Sequence, residues 1–320
     1  GFTEPTVTDA HLILRRLNPQ YFLGGKMMVY PDLAYKAVDR ISKSLGVTVE
    51  KCAEMIIRVV NANMIRAMSL ISTERGYDPR DFTLVAFGGA GPLHAGDIMD
   101  ELGIKKCLIP PNPGMTSAMG LLVSDYIYDT IHTHLSILSQ TLNKEIDEWY
   151  TRLEDEATEA LIKAGLPPSH IILLRLMDLR YQGQSYELTV PLASGKVTDK
   201  VLSEAIENFH EKHFREYGYR RDDVDVELVN LRVEGLVKGS SPKVVRLLEG
   251  RGNGLQALLG EDSVNINGWV KTKMYLREKL LAGDELYGPA IIHQYDSTIL
   301  IKPEHHAKVH WSGTILVERG

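Results

Sequence analysis

The stretch that decides the fold is an apolar run that leads into a glycine-rich turn: Phe82-Thr83-Leu84-Val85-Ala86-Phe87-Gly88-Gly89-Ala90-Gly91-Pro92-Leu93-His94. A short apolar run bounded by turn residues is typical of a buried strand. We predict a helix from about residue 93 to 102, ended by Gly103, and a second short strand at residues 107–109. Strand, helix and strand form a βαβ unit, so this region predicts an α/β fold with a parallel sheet.

Helices dominate the sequence before this unit. We predict a short helix over residues 10–17, a second over 32–45 with Gly46 as its C-cap, and a third over 49–75 with Thr48 as its N-cap. Helical spacing places one stripe of the third helix against a core. The members of this stripe are Ile56, Val59, Val60, Asn63, Ala67, Leu70 and Ile71.

The sequence changes character near residue 130. Beyond it we predict helices over 142–164 and 202–217, a hairpin of strands 171–181 and 185–190, and a half-buried strand over 224–237. Residues 238–263 are predicted to be irregular, and short strands follow over 264–318. We therefore predict an α/β domain over residues 1–135 and an α+β domain over residues 136–320.

Composition excludes several classes of protein. Charged residues make up 24% of the 320 residues and hydrophobic residues 44%, as in average globular proteins. The 36 Lys and Arg against 42 Asp and Glu give a net charge of −6, which does not favour nucleic-acid binding. The sequence shows neither a signal peptide nor an uninterrupted apolar run of about 20 residues, so we expect no membrane partner. Its two cysteines, Cys52 and Cys107, suit core thiols of a cytoplasmic protein.

The glycine-rich turn is the sharpest candidate site. It follows a predicted strand and opens a helix, the edge at which open α/β sheets bind ligands. Glycines let a ligand approach the backbone, which makes Gly88, Gly89, Ala90 and Gly91 candidates for nucleotide binding. The turn matches neither the Walker A loop nor the dinucleotide fingerprint. The alternative is a tight turn that needs glycine for positive φ.

Other residues are weaker candidates for a cleft, and each has a structural alternative. His94 could contact a phosphate or ribose or carry a proton, or it could be a hydrogen-bonded structural histidine. Ser117 is by default a helix N-cap and otherwise a ligand contact. Asp9, like Thr8 beside it, is a plausible N-cap, and otherwise a carboxylate in a cleft. Asn61 and Asn63 are amides within an apolar helix that need partners or face a cleft, and the structural role is favoured.

Metal and hydrolase signatures are weak. The histidine pairs at 132 and 134, 210 and 213, and 305 and 306 have no third ligand in a recognised spacing, so we predict no metal site on these residues. No Gly-x-Ser-x-Gly motif occurs, which gives no support to a serine hydrolase.

Taken together, the motifs resemble the hydantoinase A/5-oxoprolinase family. Segments that carry the resemblance, in the order of the family, are Thr6-Val7-Thr8-Asp9-Ala10, Phe22-Leu23-Gly24-Gly25, Asn61-Ala62-Asn63-Met64, residues 74–82, residues 87–95, Pro110-Pro111-Asn112-Pro113-Gly114, Arg180-Tyr181-Gln182-Gly183-Gln184 and Gly288-Pro289-Ala290-Ile291-Ile292. The run from residue 74 to 95 is the most specific. Arg15 stands where the family usually has glycine.

The resemblance implies a ribonuclease-H-like lobe of the actin, Hsp70 and sugar-kinase superfamily, in which a glycine-rich turn of the second lobe lies against adenosine. It implies ATP and Mg²⁺ as cofactors. The family's amino-terminal phosphate loop has no match here, so we expect this chain to be a carboxy-terminal half. The phosphate and Mg²⁺ contacts are then expected from residues upstream of Gly1 or from a partner chain.

Three functions follow from the resemblance. The first is an ATP-dependent hydrolase that opens a lactam or cyclic amide such as 5-oxoproline or a hydantoin. The second is a subunit of an acetone or acetophenone carboxylase, and the third is a non-catalytic half that supports a partner. A hydantoinase B-type subunit is the expected partner, in a multi-subunit complex.

Overall fold

A computed structural model describes residues 4–242 and 244–320. By internal contacts the chain divides into two compact units, one of Gly1–Leu121 with Pro242–Gly320 and one of Leu122–Ser241. The first unit is therefore discontinuous in sequence, because strands of the last 80 residues pair with the βαβ region. The boundary near residue 135, between a domain of residues 1–135 and a domain of residues 136–320, remains a prediction. It divides the sequence into consecutive domains, whereas the compact units are defined by contacts.

Three helices open the described chain, helices and strands are interspersed in its middle, and seven strands follow one another at its end. The helices are α1 (Val7–Ile13), α2 (Pro31–Leu45), α3 (Val49–Ile71), α4 (Gly91–Leu102), α5 (Thr116–Val123), α6 (Asn143–Lys163) and α7 (Asp199–Tyr217). The strands are β1 (Leu84–Val85), β2 (Lys106–Ile109), β3 (Tyr126–Ile137), β4 (Ile171–Tyr181), β5 (Leu188–Leu192), β6 (Val226–Val237), β7 (Leu258–Asn265), β8 (Trp269–Leu276), β9 (Glu285–Tyr287), β10 (Ala290–His293), β11 (Thr298–Ile301), β12 (His305–Val309) and β13 (Ile315–Arg319).

Two sheets build the first unit, with strand orders β1-β2-β13-β12-β9 and β11-β10-β8-β7. Strands β1 and β2 are parallel, with Leu84 opposite Cys107, which confirms the βαβ unit. Strand β13 pairs antiparallel with β2 and places Ile315 opposite Ile109. Side chains of α4 and both sheets share one core, in which Met99 of α4 has no exposed surface.

The second unit is an antiparallel sheet, β3-β6-β4-β5, covered by α6 and α7. The predicted hairpin of β4 and β5 is confirmed, although β5 begins at Leu188 rather than 185. Tyr150 of α6 and Phe209 of α7 are fully buried in its core. Each unit thus has a hydrophobic core of its own.

Helix ends follow the predicted capping chemistry in several places. Thr48 accepts a hydrogen bond from the Lys51 amide, and Gly46 and Gly103 end their helices in the left-handed conformation. Helix α1 is different from the prediction, since it begins at Val7 and Thr6 is its N-cap.

The predicted face of α3 was wrong. Val59, Leu70 and Ile71 are 61%, 54% and 65% exposed, whereas Cys52, Ala53, Ile57 and Asn61 are buried. Apolar residues occupy both sides of this helix, so their spacing does not decide which side packs. The segment Val49–Arg75 is long and apolar enough to cross a membrane, judged by length and composition alone. Charged residues interrupt it, so it does not contain an uninterrupted apolar run of about 20 residues. One such helix is a weak indication, and the buried side of this one packs on α1 and α4.

The prediction of irregular structure over 238–263 was also wrong in part, because β7 begins at Leu258. It pairs with β8 through polar residues, with Glu261 opposite Lys273 and Ser263 opposite Lys271. A polar strand lacks the apolar alternation by which strands are recognised.

Candidate functional site at the glycine-rich turn

The glycine-rich turn lies between β1 and α4, as predicted. Gly88 has φ of +84° and its amide donates to the Pro113 oxygen at 2.7 Å. A positive φ requires glycine here on conformational grounds. Gly89 has no positive φ, and a Cβ at that position would meet its nearest neighbour, the Asp296 carbonyl oxygen, at an ordinary 3.6 Å. Ala90 is the N-cap residue of α4 and Gly91 its first residue.

The turn between β10 and β11 packs against the glycine-rich turn. Ser297 Oγ donates to the Gly89 carbonyl oxygen at 3.0 Å, and the Gly114 amide donates to Asp296 Oδ2 at 2.8 Å. A Cβ on Gly114 would lie 2.5 Å from the Asp296 carbonyl oxygen, so this contact requires glycine. Three chain segments that are far apart in sequence therefore meet at one place.

A cavity of about 320 Å³ opens between these turns and α1. Its size lies at the small end of the range for small-molecule sites. Gly89, Ala90 and Leu93 supply one wall and α1 another, while residues 293–298 supply a third. Aromatic and aliphatic side chains line much of the rest, namely Val7, Leu17, Tyr21, Phe22, Leu23 and Tyr295. The cavity suits a flat, largely apolar group with a few polar contacts.

A buried hydrogen-bond chain runs from the cavity wall into the unit. His11 Nε2 lies 3.2 Å from His94 Nε2, and His94 Nδ1 lies 2.7 Å from Asn61 Oδ1. Asn61 Nδ2 donates to Asp97 Oδ2 at 3.2 Å. Burial lowers the pKa of His11 well below its usual value, and the neighbouring His94 and Arg16 lower it further. Burial also lowers the pKa of His94, so both rings are neutral near pH 7.

An ionic cluster anchors the far end of this chain. Lys302 Nζ contacts Asp97 at 2.7 Å and Asp100 at 2.5 Å, and His305 Nε2 contacts Asp100 at 2.9 Å. Burial lowers the pKa of Lys302, but its two carboxylate partners outweigh burial and raise the pKa overall. Burial raises the pKa of Asp100, yet hydrogen bonds from Lys302 and His305 leave that pKa below its usual value. The Asp97 carboxylate is thereby held in place by a cation whose side chain is 12% exposed.

The structure sorts the weaker candidates. His94 is 1% exposed and takes the hydrogen-bonded role described above. The prediction that Asp9 is an N-cap was wrong, because it is the third residue of α1 and forms a capping box in which Thr6 donates to its carboxylate. Asn61 has the partners that a buried amide needs, whereas Asn63 is exposed on the opposite side of α3. A part for Asn63 in binding remains a prediction.

Ser117 also differs from its default interpretation. It is an exposed residue inside α5 and not the N-cap of a helix, because α5 follows directly on a 3₁₀ turn at Pro113–Met115. Thr116 Oγ1 bonds the carbonyl oxygens of Asn112 and Pro113 at this junction. A ligand contact by Ser117 remains a prediction.

Sequence reasoning missed the residues that complete the cavity. His11 directly follows the Thr-Asp-Ala motif, but no pattern in the sequence marks it as a site residue. Gln294, Tyr295, Asp296 and Ser297 form the turn between two buried strands. This polar turn lies just after Gly288-Pro289-Ala290-Ile291-Ile292, a segment that carries the family resemblance. Its position beside that segment is the sequence feature that could have indicated a site.

Over residues 4–242 and 244–320, no group of three or more His, Cys, Asp or Glu residues could hold a metal ion. The histidines that lie close together in the sequence contact other side chains. His132 stacks on Trp149 with ring centroids 3.4 Å apart, and His210 Nδ1 lies 2.6 Å from the Tyr181 hydroxyl. Cys52 and Cys107 are free and buried, as expected of core thiols.

Comparisons define the class of this α/β protein. A family model described as Hydantoinase/oxoprolinase matches residues 1–130, and the Hydantoinase/oxoprolinase C-terminal domain matches residues 138–311. The chain belongs to the hydantoinase/oxoprolinase family, which confirms the resemblance seen in the sequence.

Curated relatives extend well beyond this chain. It is 36% identical over 323 residues to an uncharacterized protein of Methanocaldococcus jannaschii, matching 100% of this chain and 45% of that protein. It is 30% identical over 318 residues to the caprolactamase subunit alpha of Pseudomonas jessenii, covering 95% of this chain and 44% of the relative. The acetophenone carboxylase gamma subunit of Aromatoleum aromaticum is 27% identical over 338 residues, a match that covers 99% of this chain and 45% of the relative. The chain thus spans less than half the length of these relatives.

Solved structures support the predicted fold class. The ATP-dependent caprolactamase of Pseudomonas jessenii matches with a TM-score of 0.72 and 29% identity over 99% of this chain and 47% of that one. A nucleotide-free acetone carboxylase matches with a TM-score of 0.82 over 98% of this chain and 46% of that one, and at 22% identity it shows the fold alone. The mixed α/β architecture is consistent with a ribonuclease-H-like lobe and an α+β carboxy-terminal part.

Proposed function

We propose that this chain is part of an ATP-dependent hydrolase of the hydantoinase/5-oxoprolinase type that opens a lactam or cyclic amide. The family assignment and the 30% identity to a caprolactamase subunit support this proposal. The observation that carries it is the cavity of about 320 Å³ beside Gly89 and Ala90, which a strand-to-helix turn places at a sheet edge.

The residues around the cavity fit the nucleoside part of ATP. Glycine and alanine let a ligand approach the backbone closely, and aromatic side chains offer flat surfaces for a base. The described residues that line the cavity include neither lysine nor arginine, so they do not suit a triphosphate. We therefore propose that the phosphates and Mg²⁺ are held by residues outside these 320, on a longer chain or on a partner.

ATP would supply a phosphoryl group, which turns an amide oxygen into a good leaving group. The contribution of this chain is to position the nucleoside through Gly88–Gly91 and to exclude water from its base. Such positioning is a large part of phosphoryl-transfer catalysis. A hydantoinase B-type subunit is our proposed partner, and we propose a cytoplasmic location on the basis of the two free, buried thiols.

A ketone carboxylase subunit is the second candidate, since the acetophenone carboxylase gamma subunit is 27% identical over nearly the whole chain. We favour the hydrolase because the caprolactamase subunit has the higher identity of the two. The third possibility is a half that supports a partner without binding nucleotide.

The test measures ATP hydrolysis by the intact protein, with its partner subunit, in the presence of 5-oxoproline, a hydantoin or caprolactam. ATP hydrolysis that is stimulated by one of these cyclic amides supports the hydrolase. ATP hydrolysis that instead requires a ketone and bicarbonate would favour the carboxylase subunit. Gly89→Val should abolish ATP binding, and Gly120→Val, at a position with no neighbour within 4 Å of a Cβ, is the matched control. Unchanged affinity in Gly89→Val removes the turn from the site, and absence of ATP binding in the wild type leaves the supporting role.

A further inference from the structure

The polar side chains buried in the cavity wall differ in what they bond. Among the described residues, those that line the cavity and are more than nine-tenths buried are His11, Gln294, Ser297, His293 and Thr298. The first three contact His94, the Pro111 carbonyl oxygen and the Gly89 carbonyl oxygen respectively. The side chains of His293 and Thr298 have no hydrogen bond to any residue within 4–242 and 244–320.

The polar atoms of His293 and Thr298 are also within reach of the cavity. The unpaired polar atoms that are completely buried include Nδ1 of His11 and Oε1 of Gln294, but no atom of His293 or Thr298. The imidazole nitrogens and the hydroxyl oxygen are therefore neither bonded within the described protein nor closed off from the cavity. Buried polar groups without a partner cost free energy, so two of them on one cavity wall point to a ligand that supplies the bonds.

The two side chains are neighbours in the sheet. His293 is the last residue of β10 and Thr298 the first of β11, and they lie directly opposite each other in the antiparallel ladder. Opposite residues project to the same side of a sheet, with Cβ atoms about 4.5–5.5 Å apart. His293 also lines a neighbouring cavity of about 660 Å³, but Thr298 does not. The pair therefore belongs to the smaller cavity beside the glycine-rich turn.

Together the two side chains offer one hydrogen-bond donor beside one acceptor. A neutral imidazole has one N–H group and one bare nitrogen, and a hydroxyl group both donates and accepts. Burial lowers the pKa of His293 to about 4, so the ring is neutral near pH 7 and has no charge with which to hold a phosphate or a carboxylate. The complementary ligand is neutral and presents an N–H donor next to an acceptor atom, which we call a donor–acceptor edge.

We propose that His293 and Thr298 bind the donor–acceptor edge of a neutral planar heterocycle in this cavity. The inference rests on the proposed function, which offers two sources of such an edge. One is adenine, whose amino group lies beside a ring nitrogen. The other is the cyclic amide, whose N–H lies beside its carbonyl group. Either edge would supply both side chains with the bonds that the protein leaves unmade.

The first test changes the ligand and uses the intact protein with its partner subunit. Calorimetry compares ATP with purine riboside triphosphate, which lacks the amino group, and a lactam with the lactone of the same ring size, which has oxygen in place of N–H. Loss of the donor should weaken binding about tenfold. Discrimination in the first comparison assigns the pair to adenine, and discrimination in the second assigns it to the substrate. Equal affinities in both overturn the inference and leave the proposed function intact, whereas absence of all binding refutes both.

The second test changes the protein. Thr298→Val keeps the shape of the side chain and removes its hydroxyl, while His293→Phe removes both ring nitrogens. Each should weaken the ligand with the complete edge about tenfold, and the variant that has lost the partner of the N–H should no longer discriminate. His293→Gln retains a donor and an acceptor and should restore part of the affinity. Discrimination that persists in both Thr298→Val and His293→Phe overturns the inference.

Thr272→Val is the matched control for the threonine. Thr272 is fully buried in β8 of the same sheet and does not line the cavity, so this variant should keep the affinity and the discrimination of the parent.

The third test needs no ligand and separates a binding role from a structural one. Thr298→Val should leave the urea midpoint unchanged or raise it, because it removes a buried hydroxyl that has no partner. Thr272→Val should lower the midpoint, since its hydroxyl donates to the Val270 carbonyl oxygen at 3.1 Å. An equal fall in the two variants would show that the protein itself satisfies Thr298, and it would overturn the inference whatever the cavity binds.

Discussion

The contact between Gly114 and Asp296 gives the sharpest test of how the site is assembled. In Gly114→Ala, the new Cβ would lie 2.5 Å from the Asp296 carbonyl oxygen, 2.9 Å from its Cβ and 3.0 Å from Oδ2. The two turns must separate to admit it, and the bond from the Gly114 amide to Asp296 Oδ2 lengthens as they do. Overpacking costs about 1–3 kcal/mol and a bond to a charged group about 1.5–3 kcal/mol, so we expect a loss of about 2–4 kcal/mol in the free energy of unfolding.

Gly120→Ala is the matched control, because a Cβ there meets nothing within 4 Å and alanine favours the helix. Urea unfolding can be followed by the tryptophan fluorescence of Trp269 and Trp311, which lie in the first unit. A Trp149→Phe background removes the tryptophan of the second unit from this signal. We expect the control to match or exceed the parent in stability. If Gly114→Ala stays within about 0.5 kcal/mol of the parent, the range of ordinary surface substitutions, the close approach of the two turns is refuted.

Two further predictions concern buried charge. Lys302→Met removes the nearest cation from two partly buried aspartates of α4 and should cost about 2 kcal/mol in urea unfolding, against less than about 1 kcal/mol for Lys308→Met at an exposed pair. Because the folded state lowers the pKa of Asp100, the difference in cost between the two variants should shrink as the pH falls below about 4. Equal costs for the two variants at pH 7 would contradict the ionic cluster of Lys302, Asp97 and Asp100. Burial lowers the pKa of His293 to about 4, so as the pH falls the unfolded chain takes up this proton first. The parent should lose about 3 kcal/mol relative to His293→Gln between about pH 6.5 and pH 4, measured by urea unfolding across that range, and parallel pH profiles would show that His293 is not buried as a neutral ring.

Local chemistry accounts for the features that the sequence predicted well. Thr48, Gly46 and Gly103 act within one helical turn of their own positions, so their effect does not depend on the rest of the fold. The βαβ unit is likewise decided within about 30 residues by two apolar runs and the turn between them. The family resemblance rested on such local motifs and was confirmed.

The remainder depends on contacts that no local pattern encodes. His11 and His94 are 83 positions apart, and Ser297 is 208 positions from the glycine whose carbonyl it bonds. Helix α3 has apolar residues on both sides, so its buried side is chosen by the helices that pack on it. Periodicity therefore located the helix but not its contacts, and it could not distinguish Asn61, which has partners, from Asn63, which is exposed.

The candidate site also shows why domains read along the sequence do not delimit the functional unit. The glycine-rich turn and His11 belong to the first 121 residues, yet Gln294, Ser297 and Lys302 come from the last 80. Lys302 contacts Asp97, the Asn61 amide donates to Asp97, and the Asn61 oxygen lies 2.7 Å from Nδ1 of His94, which in turn contacts His11. The buried hydrogen-bond chain that begins at His11 therefore ends at a lysine nearly 300 positions away. It follows that residues 1–121 without the carboxy-terminal strands would keep the glycine-rich motif but lose the cavity wall that residues 293–298 supply.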